Sequence, residues 1–210
     1  MTKLLFIKAS PSGALSKSIA IAEAYVNELR ARRLDLAVDM IDLWEENLPA
    51  FDGNKANAKL AVVTKTPRSA EQKTAWDKIT AIARRFVAAD RYVFAVPMWN
   101  GNVSYKVKQY IDIIHQPGLL FGMNSATGYV GLLHNKKATS GVYALSAPSP
   151  AFGVDHHASY LKAWLNQAGV TDIEGIRYQP TLRTADPAAG FAAAIDEARS
   201  LTNKALEAIP

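Results

Sequence analysis

Cysteine is absent from the 210 residues, which excludes disulfides, thiolate metal sites and cysteine nucleophiles together. Long apolar runs are missing too. None approaches the ~20 residues of a membrane-spanning helix, and Met1 to Lys8 lacks the length and layout of a secretory signal. These absences set the expectation of a cytoplasmic protein with no membrane partner. Neither sign of charge dominates: the net charge is +5 with 20% charged residues. The densest basic groups, RARR at 30–33 and NKKA at 135–138, fall at a predicted helix end and a predicted strand start. Basic side chains at a helix C-terminus complement the macrodipole. With no long basic stripe and no reading motif, no nucleic-acid partner is expected. The surplus suits a small anionic ligand.

Several chemistry-bearing motifs are also missing. There is no G-x-x-x-x-G-K-[ST], so a nucleoside-triphosphate loop is out, and no G-x-G-x-x-G follows the first strand. Without G-x-S-x-G there is no nucleophile elbow. His115, His134, His156 and His157 show no H-x-x-x-H spacing, so no metal ligand is assigned. The first predicted strand runs into Lys8, Ala9 and Ser10 rather than carboxylates, which argues against the acidic magnesium pocket of a phospho-receiver.

What remains is an alternation. Apolar, β-branched runs predict strands at 3–8, 36–43, 91–96, 139–145 and 172–178. Helical spacing predicts helices at 16–33, after a Ser69/Gln72 capping box, and at 104–115. Another is expected from an Asp155 cap to Gln167 with Gly169 as its stop, and a last one after Asp186 and Pro187. The polar stretch with Pro49 and DGN (52–54) reads as loop, and the glycine-punctuated 119–135 as an excursion with short strands. Five strand–helix repeats predict an α/β fold with a parallel sheet covered on both faces. The expectation is one flavodoxin-like, doubly wound domain over 1–210, with five strands in the order 2-1-3-4-5 and no internal repeat or linker.

In that order, ligands bind at the carboxyl ends of strands one and three, where the strand order reverses. The loop after strand one, ASPSGALSKS (9–18), carries Ser10, Ser12, Ser16 and Ser18, a flexible Gly13 and an immediate helix start. Hydroxyls and helix N-terminal amides suit a phosphate dianion; serines that merely cap and turn are the alternative. The loop after strand three opens with Pro97, Met98, Trp99, Asn100 and Gly101. Loops usually shed large apolar groups, so Met98 and Trp99 are either a bed for a flat ligand or a packing plug. A phosphate at one end and a flat ring at the other suggests flavin mononucleotide (FMN).

The segment PMWNGNVSYKVKQYIDIIHQPGLLF (97–121) resembles P-M-[WY]-N-F-x-[IV]-P-x-x-L-K-x-[YW]-I-D…P-G-x-x-F of the FMN-dependent NADH:azoreductases, relatives of the quinone reductases. The serine loop and YLKAWLNQAGVTDI (160–173) match that family in order and spacing, so the likeness spans nearly the whole chain. By this resemblance Ser10, Ser16, Lys17 and Ser18 hold the FMN phosphate region. Pro97, Met98, Trp99, Asn100 and Gly101 occupy the positions that line the ring. After strand four the family has S-R-G-G; here Ser146, Ala147, Pro148 and Ser149 stand there, and Ser146 and Ser149 are carried over as ring-edge contacts. Pro148 has no N–H to donate. Gly101 replaces a phenylalanine, which implies a roomier acceptor pocket, unless the glycine serves a turn with positive φ.

The resemblance implies two-electron transfer from NADH or NADPH through the flavin to a quinone or azo compound, by ping-pong kinetics. It also implies a homodimer with the flavin site at the subunit interface. The flavin carries the chemistry, so no catalytic residue is assigned, with Asn100 as a flavin-tuning contact. Two other classes share the fold: flavodoxin-type electron carriers, usually strongly acidic where this chain is +5, and flavin-free binding modules.

Overall fold

Leu4–Ile7 and Tyr92–Val96 are apolar without interruption, as strands covered on both faces must be. The computed structural model describes residues 1–33, 35–143, 155–181 and 184–207. Both runs lie at the centre of a sheet, in β1 (Thr2–Lys8) and β3 (Arg91–Pro97). With β2 (Leu36–Asp42), β6 (Lys137–Tyr143) and β7 (Asp172–Tyr178) they form five parallel strands in the order β2-β1-β3-β6-β7. The excursion contributes β4 (Phe121–Asn124) and β5 (Gly128–Gly131), a separate antiparallel hairpin.

Alternation along the central strands divides the core in two. Leu5, Ile7, Tyr92 and Phe94 point to one face, where α3 (Ala70–Val87), α4 (Tyr105–Ile114) and α5 (His157–Ala168) cover them with Ile79, Phe86, Ile111 and Trp164. Leu4, Phe6, Val93 and Ala95 point to the other, under α1 (Lys17–Arg32) and α6 (Pro187–Glu207), which bring Ile21, Tyr25, Leu29 and Ala198. Burying each such side chain is worth roughly 1.5–3 kcal/mol, so a one-residue register slip in either strand would exchange the two faces and cannot be tolerated.

The caps behave chemically as their residues suggest. Ser69 Oγ accepts the Gln72 N–H (3.2 Å) and Gln72 Oε1 accepts the Ser69 N–H (2.9 Å), a complete capping box. Asp186 Oδ1 accepts the Ala189 N–H at 2.9 Å, and Gly169 closes α5 with φ +100°.

Two expectations are corrected. The DGN stretch is not loop but the start of α2 (Gly53–Thr64), because Asp52 acts as N-cap, its Oδ1 accepting the Lys55 N–H (3.2 Å) while Oδ2 pairs with Lys55 Nζ (2.8 Å). Asp-Gly-Asn is a turn signal and a cap signal alike; buried Ala58 and Ala61 decide for the helix. Asp155 does not cap α5, which begins at His157 without a side-chain cap. Its carboxylate is drawn instead to Arg177 of β7. The strand expected at 139–145 begins two residues earlier, at Lys137, and Ala144 and Leu145 lie outside the described residues.

Parallel pairing brings the strand ends together. Lys8 stands opposite Asp42 and Ala95, and Pro97 opposite Tyr143, so β1, β2, β3 and β6 end at the same edge of the sheet. That edge is where ligand chemistry is to be sought.

Candidate functional site

Ser10 stands two residues past the end of β1 and is buried. Its Oγ receives the Ser12 N–H in a long contact of 3.4 Å that begins the turn. Gly13, at φ +50°, opens a single 3-10 turn through Leu15, and its carbonyl accepts the Ser16 N–H. Ser16 is the N-cap of α1, its Oγ accepting the Ile19 N–H (3.3 Å) and lying 2.9 Å from Ser18 Oγ. Both hydroxyls are buried. The ammonium of Lys17, the first residue of the helix, sits 4.1 Å from the Phe191 ring centroid. The capping role of Ser16 is therefore real, and it stands beside the phosphate reading rather than against it: cap, second hydroxyl and helix N-terminus occupy one spot, with Lys17 in the same cleft lining.

Pro97, Met98 and Trp99 approach this loop from β3. Together with Ser10, Ser12, Leu15, Ser16, Lys17 and Ser18 they line one cleft of about 180 Å³, and Thr181, just past β7, closes it from a third side. Small-molecule pockets usually hold roughly 300–1,000 Å³, so this space is smaller than a whole ligand pocket among the described residues. Tyr143, the last residue of β6, pairs with Pro97; Ser146 and Ser149 lie outside the described residues.

Asn100 and Gly101 are not in the lining. They form the tip of a tight hairpin in which Trp99 and Asn102 exchange two backbone hydrogen bonds (2.7 and 2.9 Å). Both tip residues have positive φ, +50° and +76°, as a type I′ Asn-Gly turn requires. The glycine's place is thus explained by the turn. The Gly101 carbonyl also accepts the His156 N–H (2.8 Å), which ties the turn to the start of α5.

Behind the loop lies His157, fully buried, with Nε2 3.1 Å from the Val96 carbonyl and Nδ1 without a partner among the described residues. Burial pushes its pKa down to about 4, against the opposing pull of the Val96 carbonyl and Asp155. The imidazole is therefore neutral, with its proton on Nε2.

A larger cleft of about 650 Å³ is lined by residues of α2, α4 and α5, among them Lys59, Asp112, His115 and Trp164. Lys59 Nζ, its pKa lowered by burial, donates to the His115 carbonyl (3.0 Å). Trp164 Nε1–H donates to His115 Nδ1 (3.2 Å). One amine already engaged with a carbonyl is a poor phosphate cradle, and the cleft lies away from the strand ends. The smaller cleft is the better candidate on chemistry. Among the described residues no group of three or more His, Asp or Glu is placed to hold a metal ion.

Sequence reasoning missed Thr181, Leu15 and Pro11 in the lining. The signal for Thr181 was its place immediately after the last strand, on the edge where all the parallel strands end.

The fold and this cleft define a flavodoxin-like α/β protein with a serine-lined cleft at its strand ends. Comparison with known proteins agrees: the model of a family described as having a flavodoxin-like fold matches residues 2–201. The FMN-dependent NADH:quinone oxidoreductase of Ruegeria pomeroyi is 49% identical over 91% of this chain and 95% of its own. The FMN-dependent NADH:quinone oxidoreductase 2 of Pseudomonas syringae pv. tomato is 38% identical over 94% and 96%. Among solved structures, an azoreductase from Bacillus anthracis superposes with a TM-score of 0.87 at 25% identity, covering 97% of this chain and all of that one. The chain belongs to this flavodoxin-like family, within the group of the FMN-dependent NADH:quinone oxidoreductases and azoreductases.

Proposed function

We propose that the chain is an FMN-dependent enzyme that takes two electrons from NADH or NADPH and delivers them to a quinone or azo compound. The observation that carries this reading is the meeting, in one cleft, of the Ser10–Ser18 loop at the N-terminus of α1 with Pro97, Met98 and Trp99 from β3. The names of the similar proteins support it, each being an FMN-dependent NADH:quinone oxidoreductase.

In this reading Ser10, Ser16 and Ser18 donate hydroxyl hydrogen bonds to the phosphate, Lys17 balances its charge and the amide end of α1 adds its dipole. Met98 and Trp99 supply an apolar bed for the ring and keep water from its edge. Asn100 offers a polar contact through its backbone or amide, and Gly101 keeps that contact in place by holding the turn. Ser146 and Ser149 belong to the same reading as ring-edge contacts. The flavin, when bound, supplies hydride acceptance and two-electron delivery. Were the bound flavin to leave one ring face open to the cleft, donor and acceptor would take turns there.

The reading extends to a single domain over residues 1–210, a cytoplasmic location, where reduced nicotinamide nucleotides are at hand, and a homodimer with the site at the interface. Exposed Leu60 and Val63 on α2 and Met123 on the hairpin support a surface that a second copy covers. No helix among the described residues is long and apolar enough to cross a membrane. The deciding experiment is the visible absorption spectrum of the purified protein before and after adding FMN, followed by NADH oxidation with a quinone. A flavin spectrum and acceptor-dependent NADH loss are expected. Protein that neither carries nor takes up FMN refutes the reading.

A further inference from the structure

One side chain joins the two loops of the cleft while belonging to neither. Leu43 donates its N–H to the Lys8 carbonyl (2.9 Å), and Asp42 Oδ1 accepts the Trp44 N–H (2.9 Å). The Asp42 carbonyl accepts from Glu45 and Glu46 (3.2 and 2.9 Å), and Arg85 grips Glu46 (2.9 Å) while also holding Asp39 (2.7 Å) and the Met40 carbonyl (2.8 Å). The backbone that carries Trp44 is thus fixed on both sides. Its indole Nε1–H donates to the carbonyl of Ala9 (3.0 Å), the residue before Ser10. Its ring lies 5.6 Å from Trp99, tilted by 47°, and 5.5 Å from Tyr105, edge-on at 82°.

We propose that Trp44 is a positioning residue of the flavin site, setting the orientation of Trp99 relative to the Ser10–Ser18 loop. The inference rests on the reading of the cleft as an FMN site. Its physical basis is that edge-on and tilted aromatic pairs fix relative ring orientation more narrowly than aliphatic packing does. The hydrogen bond to Ala9 then refers that orientation to the root of the phosphate loop. One rigid side chain therefore sets the distance between the two parts of the cleft, which a bound mononucleotide must span. Trp99 is the cleft-lining ring, and Trp44 and Tyr105 are its aromatic neighbours.

The test uses the full chain as Trp44→Leu, without ring or N–H, and Trp44→Phe, with a ring but no N–H. FMN affinity and the absorption band of the bound flavin are measured well below each melting temperature. Two lost aromatic contacts and a lost hydrogen bond predict FMN binding weakened about tenfold or more in Trp44→Leu, with an altered flavin band. Trp44→Phe, which keeps the ring contacts and loses the anchor to Ala9, should fall between wild type and Trp44→Leu. A merely structural indole would lower the melting temperature and leave affinity and band unchanged, and that result overturns the inference. Circular dichroism of the flavin-free protein provides a second measurement, independent of the FMN reading. A coupled indole signal lost equally in Trp44→Phe and Trp99→Phe is expected; separate, additive contributions overturn the positioning role even if Trp44→Leu fails to fold. Wild-type protein that takes up no FMN refutes the site reading alone, and the dichroism then decides the geometry.

Discussion

His157 makes the stability of the cleft wall sensitive to acid. The ring is fully buried and its Nε2–H is spent on the Val96 carbonyl. Protonation would add a second N–H donor at Nδ1, which has no partner among the described residues, with Arg177 opposing and Asp155 favouring the charge. The folded-state pKa is about 4, while an unfolded histidine titrates near ~6.5. Between those values the unfolded chain binds more protons, so stability must fall as pH falls through that window. For one such group, linkage gives a loss of about 2 kcal/mol between roughly pH 7 and pH 5. His157→Gln removes the titration while keeping an amide donor for the Val96 carbonyl. Urea unfolding of both proteins at the two pH values is the assay. Wild type should lose about 2 kcal/mol more than the variant, even if the variant starts lower. His115, also pushed down to about 4 by burial and by Lys59, is present in both and cancels. Equal losses in the two proteins would refute the argument that His157 stays neutral in the fold.

Replacing Ser16 and Ser18 by alanine should weaken FMN binding by roughly 1–3 kcal/mol per lost charge-assisted hydrogen bond. The Ser16 change should also cost about 1 kcal/mol of stability as a lost helix cap; an FMN titration of the double variant with unchanged affinity would remove the phosphate assignment. If donor and acceptor share one flavin face, initial-rate plots at several acceptor concentrations should be parallel. Intersecting lines at full FMN occupancy would mean that both bind together. Gly101→Phe forces a phenylalanine to φ +76° and should cost about 1–2 kcal/mol of stability in urea unfolding. A variant of undiminished stability that disfavours bulky quinones by tenfold or more would show that the missing ring shapes the acceptor space instead.

Sequence alone determined the features that are local. Apolar and β-branched runs gave β1, β3 and β7, and helical spacing gave α1, α3 and α4. The Ser69/Gln72 box and the Asp186 and Gly169 signals fell where backbone groups need partners within one turn. The serine loop and the Met98–Trp99 loop stood out in the sequence because each carries residues that its position would otherwise shed, and both line the cleft. Where two local signals coincided, as at Asp52-Gly53-Asn54, only the burial of Ala58 and Ala61 against the core chose helix over turn. Asp155 preferred Arg177, 22 residues away, to the helix beside it, and no local pattern encodes that choice. The arrival of Trp44 and Thr181 beside the two loops was equally invisible, because it depends on which strands are neighbours and where their ends align. Those are properties of the assembled sheet. Backbone hydrogen bonds and caps are decided within a few residues, whereas a cleft is made of side chains that only packing brings together.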